Sequence, residues 1–170
     1  NATATEHHIH LPVLAEAAGY VAHEAVRNRG TIGGSMAHAD AAAEMPLIAV
    51  ALEATMVVAN AKGERRVPAA AFFAGHYTTA LEEGELLVRI EFPITTHRWA
   101  FEEVSKRAGD FALVMVTTGI EMNGERCASA RIALGCVADR PLRSEAAEAF
   151  LLGKPITPET AREAAEIATS

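Results

Sequence analysis

The segment formed by residues 27–40 (RNRGTIGGSMAHAD) constrains this chain more than any other, because three glycines fall within the five positions 30–34. Glycine weakens helices and strands, and it permits positive φ angles or a close approach of the backbone to a ligand. We therefore expect an irregular loop whose N–H groups point at one anion, with the hydroxyls of Thr31 and Ser35 as further donors. A tight turn that uses glycine only for its geometry is the alternative.

Composition and charge exclude several classes of protein. The 170 residues carry a formal net charge of −7 with scattered Lys and Arg, which argues against a nucleic-acid partner. No apolar run is long enough to span a bilayer, and residues 1–10 lack the apolar segment of a secretory signal. Cys127 and Cys136 form no C-x-x-C motif, so we expect no zinc or iron–sulfur site in this chain. Two free thiols indicate a reducing, cytoplasmic setting.

Hydrophobic periodicity and turn residues predict an α+β chain. The expected elements are a helix over residues 11–26, the glycine loop, an apolar helix over 41–52, a β-hairpin over 54–67, strands over 86–92, 99–106, 111–122 and 128–136, a helix over 144–152 and a last helix that begins at Thr157. Asn123-Gly124 is a strong hairpin signal, so the last two strands should be antiparallel neighbours. The histidines at positions 7, 8 and 10 leave two alternatives, metal ligands or a solvated lead-in, and no partner ligand has matching spacing.

The composition changes over residues 93–98, and we place a domain boundary there. Residues 1–95 should form an α/β part, and residues 96–170 an antiparallel sheet with helices on one face. Neither part carries a G-x-S-x-G, an H-E-x-x-H or a Walker lysine, and no paired carboxylates mark an evident pocket. The glycine loop follows a helix and lacks the G-x-G-x-x-G register of a dinucleotide site. The residues alone therefore predict an anion or nucleotide site and leave its chemistry open.

Three segments nevertheless resemble one known family. Residues 26–40 with the glycine loop, residues 85–93 (ELLVRIEFP) and residues 106–114 (KRAGDFALV) look, in this order, like parts of the FAD-binding medium subunit of molybdenum hydroxylases. That family includes the carbon monoxide dehydrogenase and xanthine dehydrogenase flavoproteins. Residues 11–18 also fit the helix that precedes the loop, so the resemblance covers essentially the whole chain.

The resemblance implies a fold and a cofactor, FAD. The fold is a two-subdomain FAD-binding fold of the vanillyl-alcohol-oxidase/PCMH type, with residues 1–95 as the second subdomain and residues 96–170 as a C-terminal flavoprotein domain that is incomplete at its carboxyl end. The implied cofactor-binding residues are Thr31, Ile32, Gly33, Gly34 and Ser35 at the pyrophosphate, Asp40 and Glu44 near the ribose and adenine, Leu87 against the cofactor, Lys106 near the flavin, and His38. Structural roles remain alternatives for His38, for Asp110 and for the arginines beside the loop, Arg27 and Arg29. We expect no catalytic residue and no metal ligand in this chain.

The function implied by the resemblance is electron transfer. A large subunit would carry molybdopterin and a small subunit [2Fe–2S] clusters, from which FAD on this chain would accept electrons and pass them to an external acceptor. The expected assembly is a dimer of heterotrimers without a membrane span, and substrate oxidation would belong to the large subunit.

One departure from the family pattern keeps a second function open. These flavoproteins carry a first Gly-Gly phosphate loop before the helix at Leu11, and this sequence contains none. We therefore expect an interior portion of a subunit, which alone should be inactive and bind FAD weakly or not at all. A flavin-free scaffold or assembly module of the same fold is the alternative, although the glycine loop and residues 107–110 count against it. A flavin oxidase of the aromatic-alcohol type fits less well, because such chains lack the pattern of residues 106–114.

Overall fold

Two short helices occupy the first predicted helical segment of this chain. In the computed structural model, which describes residues 11–170, α1 spans Pro12–Tyr20 and α2 spans Glu24–Arg27. The predicted single helix over 11–26 is wrong because Ala22 adopts a positive φ of 41°, which no α-helix accommodates. The histidines at positions 7, 8 and 10 lie outside the described residues.

The glycine segment is helical, which corrects the prediction of an irregular loop. Helix α3 spans Ile32–His38, and the hydroxyl of Thr31 caps it by accepting a hydrogen bond from the Gly34 N–H at 2.9 Å. Glycine lowers helix propensity, but a capped N-terminus and packing against neighbouring elements outweigh that cost here. The helix ends at Ala39, whose φ of 52° is left-handed.

Helix α4 lies at the centre of the molecule. It spans Glu44–Ala51, and every one of its residues is buried, because it packs against α1, α3 and the strands of the second sheet. Pro46 sits in the first turn, where its missing N–H costs nothing, so the helix begins three residues later than predicted. The larger hydrophobic core therefore forms around this helix and includes Met56, Phe101 and Met115.

The first sheet contains the predicted hairpin and one later strand. Strands β1 (Thr55–Asn60) and β2 (Gly63–Pro68) pair directly, α5 spans Ala69–Phe72, and β3 (Phe73–Gly75) pairs with β4 (Thr78–Thr79). Strand β5 (Leu86–Glu91) returns to the other side of β1, which gives the antiparallel order β2-β1-β5. This return places β5 beside α3.

The second sheet is antiparallel, as predicted, and it is a four-stranded meander whose short last strand was not predicted. Its strands are β6 (Arg98–Ser105), β7 (Ala112–Asn123), β8 (Arg126–Gly135) and β9 (Leu142–Arg143), in the order β6-β7-β8-β9. Helices α6 (Glu145–Leu151) and α7 (Pro158–Ala168) pack on one face and form a smaller core. Strand β7 is not wholly buried, because Leu113 is 56% exposed. Phe111, which lies just before the strand, is 73% exposed.

Candidate functional site

The N-terminus of α3 presents free backbone donors to open space. Among the described residues, the N–H groups of Ile32 and Gly33 have no hydrogen-bond partner, because the capping hydroxyl takes only the Gly34 N–H. A Cβ atom at Gly33 would meet nothing within 4 Å. Free N–H groups beside an open glycine fit a phosphate, which needs several donors and a close approach of the backbone.

The other glycines of the segment have local reasons to be glycine. A Cβ at Gly34 would lie 3.0 Å from the Thr31 hydroxyl oxygen, and one at Gly30 would lie 3.2 Å from the Val26 carbonyl oxygen. Both distances are tighter than an ordinary van der Waals contact. Gly33 is therefore the glycine of this helix whose side-chain space remains available to a ligand.

His38 lies at the opposite end of α3 and contacts an aromatic ring. Its ring centroid is 4.9 Å from that of Tyr77, and the Tyr77 N–H donates to the Ala39 carbonyl at 3.1 Å. The turn between β3 and β4 is thereby fixed against the C-terminus of α3. No local sequence pattern predicts this role of Tyr77, because its partners His38 and Ala39 are distant in the sequence.

Asp40 and Glu44 lie on the side of the chain that faces the second sheet. The Asp40 carboxylate accepts from the Ala42 N–H at 2.9 Å, and Glu44 is only 8% exposed. Burial raises the pKa of the Glu44 carboxyl to about 6, its own backbone N–H opposes this shift, and the charges of Glu103 and Asp40 add to it. Burial and these neighbouring carboxylates also raise the pKa of the Cys136 thiol to about 11, so this thiol stays protonated and unreactive.

Leu87 is held beside α3 by the placement of β5. It is partly buried and packs against the larger core. A bidentate ion pair fixes the turn before the strand: Arg65 donates from Nε and Nη2 to the Glu85 carboxylate at 2.7 and 2.6 Å. The Arg65 guanidinium lowers the pKa of Glu85 to about 2. Sequence reasoning missed this pair, because Glu85 follows Arg65 by 20 residues in the sequence.

Lys106 lies apart from α3, on the connection between β6 and β7. It lines a cavity of about 430 Å³, and the same connection borders a second cavity of about 840 Å³ beside the elbow between α1 and α2. Gly109 has a φ of 84° and lies against the His23 ring, where a Cβ would come within 2.4 Å of ring atoms. Close packing thus joins the 106–110 connection to the elbow.

Arg27 has a structural role in the same elbow. Its Nη1 donates to the carbonyl oxygens of Val21 at 2.9 Å and Ala22 at 2.6 Å, across the break between α1 and α2. Of the two alternatives for this arginine, the structure shows the one that fixes the chain before the glycine segment.

The structure therefore brings most of the predicted site residues into one region and places Lys106 apart from them. Helix α3 contacts α4, β4 and β5, so residues 31–38, Glu44 and Leu87 belong to one region, whereas Lys106 approaches through the elbow. Within residues 11–170, no group of three or more His, Cys, Asp or Glu side chains could hold a metal ion. No helix in the same range is both long and apolar enough to cross a bilayer.

Two family models together match nearly the whole chain. The model described as the FAD binding domain in molybdopterin dehydrogenase matches residues 1–95. The model described as the CO dehydrogenase flavoprotein C-terminal domain matches residues 99–170.

Individual proteins are similar over the same range. The carbon monoxide dehydrogenase medium chain of Hydrogenophaga pseudoflava is 41% identical over 160 residues, which are 93% of this chain and 56% of the relative. The nicotine 6-hydroxylase medium subunit of Paenarthrobacter nicotinovorans is 37% identical over 157 residues, 92% of this chain and 56% of the relative. This chain thus spans a little over half the length of these relatives.

Solved structures share the fold as well as the sequence. A chain of quinoline 2-oxidoreductase from Pseudomonas putida 86 superposes with a TM-score of 0.93 at 52% identity, over 96% of this chain and 57% of that one. A chain of carbon monoxide dehydrogenase from Hydrogenophaga pseudoflava gives a TM-score of 0.91 at 43% identity, over 95% of this chain and 57% of that one. These matches confirm the resemblance and the α+β fold inferred from the sequence. The chain belongs to the family of FAD-binding domains in molybdopterin dehydrogenases, here followed by a CO dehydrogenase flavoprotein C-terminal domain.

Proposed function

We propose that this chain is the electron-transfer part of a molybdenum hydroxylase, in which it holds FAD between the metal centres and an external acceptor. The observation that carries the proposal is the N-terminus of α3 within the family's FAD-binding domain, where the Ile32 and Gly33 N–H groups have no partner among the described residues and the space around a Gly33 Cβ is open. Bound FAD would supply the redox chemistry, which protein side chains lack.

The residues of the chain would bind and orient the cofactor. The N–H groups of Ile32 and Gly33 would donate to the diphosphate, and the hydroxyls of Thr31 and Ser35 would add donors. Leu87 would pack against the cofactor from β5. Lys106 would approach the flavin from the connection between β6 and β7. His38, Asp40 and Glu44 complete the proposed set.

The rest of the electron path would lie on other chains. The relatives are named medium chains or medium subunits, which supports a large subunit with molybdopterin and a small subunit with [2Fe–2S] clusters. We extend the proposal to a cytoplasmic dimer of such heterotrimers, and to a division of this chain into residues 1–95 and 96–170. Metal analysis of the protein that copurifies with this chain tests the partners, which should contain molybdenum and iron.

The variant Gly33→Val tests the cofactor site. The valine side chain would enter the space assigned to the diphosphate, so the native purified protein should retain at most about a tenth of its FAD. Acid-released flavin, measured by fluorescence, gives the content. Gly19→Val is the matched control, because a Cβ at Gly19 on α1 also meets nothing within 4 Å.

Two results would contradict the proposal in different ways. Parental FAD content in Gly33→Val would show that α3 does not bind the diphosphate. A parent protein that contains molybdenum and iron but no flavin would instead favour the flavin-free scaffold.

A further inference from the structure

The connection between β5 and β6 is fixed to the second sheet by the side chains of three consecutive residues. The Thr95 hydroxyl accepts a hydrogen bond from the Trp99 Nε1–H on β6 at 2.9 Å. The Thr96 hydroxyl donates to the Glu121 carboxylate on β7 at 2.6 Å. The next residue, His97, bonds to β8, so successive residues of the connection bond to successive strands. We call Thr95, Thr96 and His97 the anchor segment.

The imidazole of His97 lies across one face of the second sheet. Its Nε2 atom lies 3.0 Å from the Ser129 hydroxyl oxygen on β8. Its ring centroid lies 5.6 Å from that of Trp99 on β6. The Trp99 ring is itself held against Gly119 on β7, where a Cβ would lie 2.7 Å from ring atoms. The imidazole is therefore fixed at both sides, by a hydrogen bond and by a ring contact.

The surroundings of His97 suit a neutral imidazole. Its Nδ1 atom is buried and has no hydrogen-bond partner among the described residues, and the same holds for the Nη1 atom of Arg131 on β8. Gly119 pairs with Trp99 on one side and with Arg131 on the other, so Arg131 lies on the face that carries the Trp99 ring. A protonated imidazole has an N–H on both nitrogens, so it would bury one N–H without an acceptor and place a second positive charge on this face.

Charged groups from four elements face His97, and their balance opposes its protonation. Burial is the largest cause that lowers the pKa of His97 below its ordinary value of 6.5, and the charge of Arg131 is the next. The carboxylates of Glu121 on β7 and Glu53 after α4 oppose this shift, and Arg143 on β9 adds to it. Because the pKa is lower in the folded chain, the stability tied to the neutral ring is present above pH 6.5 and lost as the pH falls below it.

We propose that His97 is a pH-sensitive clamp, whose neutral imidazole holds the anchor segment on the second sheet and whose protonation releases it. The two family models match residues 1–95 and 99–170, so the anchor segment lies at the join between the matched domains. The hydrogen bond between Thr96 and Glu121 is exposed, and water can replace it, so it does not hold the segment alone. Acidification would free the start of β6 and loosen the join.

Hydrogen exchange of the native protein tests this inference, read by mass spectrometry in peptides that cover the anchor segment and the start of β6. After correction for the intrinsic pH dependence of exchange, protection should fall between pH 8 and pH 5. The loss should approach about tenfold for each unit by which the pKa of His97 lies below 6.5.

Two histidine variants show whether His97 causes the loss. His97→Gln keeps an amide N–H that can donate to Ser129 but carries no titratable group, so its protection should be the same at both pH values. His76→Gln is the matched control, because it changes an exposed histidine in the turn between β3 and β4, and it should keep the parental profile.

A third variant tests the charge on the same face without altering His97. Arg131→Gln removes a positive charge that opposes protonation, so the loss of protection should begin at a higher pH than in the parent. Arg98→Gln is its matched control, since Arg98 is exposed and adjoins Trp99 in β6, which puts it on the opposite face. Equal protection of the parent at pH 8 and pH 5, a loss that persists in His97→Gln, or an unshifted profile in Arg131→Gln would each overturn the inference.

Discussion

Glu44 and Glu148 are equally buried, each with 8% of its surface exposed, but their surroundings are opposite. Glu148 on α6 accepts from the Ile132 N–H at 2.8 Å and from the Nε and Nη2 atoms of Arg143 at 2.9 and 2.6 Å. In the described part of the chain, Glu44 at the start of α4 has only its own backbone N–H and faces the charges of Glu103 and Asp40.

The pairing of each glutamate is typical of how polar groups are paired in the region that contains it. The layer formed by β8, β9, α6 and α7 pairs its buried glutamate and caps its last helix internally, through the Glu148 contacts and the capping box of α7, although the Arg131 Nη1 atom on β8 is buried without a partner among the described residues. Among the described residues, the region formed by α3 and the start of α4 leaves the Ile32 and Gly33 N–H groups without a partner and buries the Glu44 carboxyl beside other carboxylates, with its own backbone N–H as donor. Local rules of stability are most often violated at functional sites, so this contrast marks α3 as the part that depends on something outside the chain.

Removal of the paired glutamate should have the largest effect on stability. Glu148→Ala leaves the buried Ile132 N–H without its partner, and among the described residues the half-buried Arg143 guanidinium keeps its contact with Glu53 alone. We expect the free energy of unfolding to fall by about 3 kcal/mol. Denaturant unfolding of the native protein measures the change.

The control for this variant lies on the same helix. Glu145→Ala removes an exposed carboxylate from the first turn of α6, so it should cost at most about 0.5 kcal/mol, the contribution of the helix dipole. A loss below 1 kcal/mol in Glu148→Ala would show that the C-terminal layer does not depend on this pairing.

Removal of the charge of Glu44 should stabilise the protein, and this gain should be smaller than the loss of stability expected for Glu148→Ala. Its pKa in the folded protein, about 6, lies above the ordinary value of 4.5, so the stability tied to its neutral form is complete below pH 4.5 and lost as the pH rises through 6. Glu44→Gln should therefore stabilise the protein by about 2 kcal/mol at pH 8 and by progressively less towards pH 4.5. Unfolding curves at both pH values measure this difference.

If Glu44→Gln changed the free energy of unfolding by the same amount at every pH, the difference inferred between the surroundings of Glu44 and Glu148 would be contradicted. The carboxyl would then titrate normally, which requires a partner for its charge. Glu16→Gln on α1 is a suitable control, because Glu16 is exposed and its removal should change stability little at either pH.

Local sequence signals predicted the second half of the chain well. The Asn123-Gly124 turn after a segment rich in β-branched residues predicted the observed antiparallel neighbours β7 and β8, and Thr157 begins the last helix as expected. Those signals depend on residues close in the sequence. The predicted helix over 144–152 is confirmed as α6, which begins at Glu145, although the Ser144 side chain makes no capping hydrogen bond.

The site region was harder to predict because tertiary contacts decide it. The glycines indicated a loop, but the Thr31 cap and the contacts of α3 with α4 and β5 make the segment helical. The identity of the site came from the motif resemblance. Tyr77 and the Arg65–Glu85 pair gave no local signal, since their partners are distant in the sequence.

The N-caps of the two regions give the smallest and most direct comparison. Thr157 accepts from the Thr160 N–H at 3.3 Å, while the Thr160 hydroxyl accepts from the Thr157 N–H at 2.8 Å, so Thr157→Ala breaks a reciprocal box and should cost about 1 kcal/mol. Thr31 accepts only from the exposed Gly34 N–H, which water can reach, so Thr31→Ala should cost about 0.5 kcal/mol. Thermal unfolding measures both, and the serine variants, which keep the acceptor, serve as controls. A larger loss for Thr31→Ala than for Thr157→Ala would contradict the contrast, because α3 would then depend on its own hydrogen bonds as strongly as the C-terminal layer does.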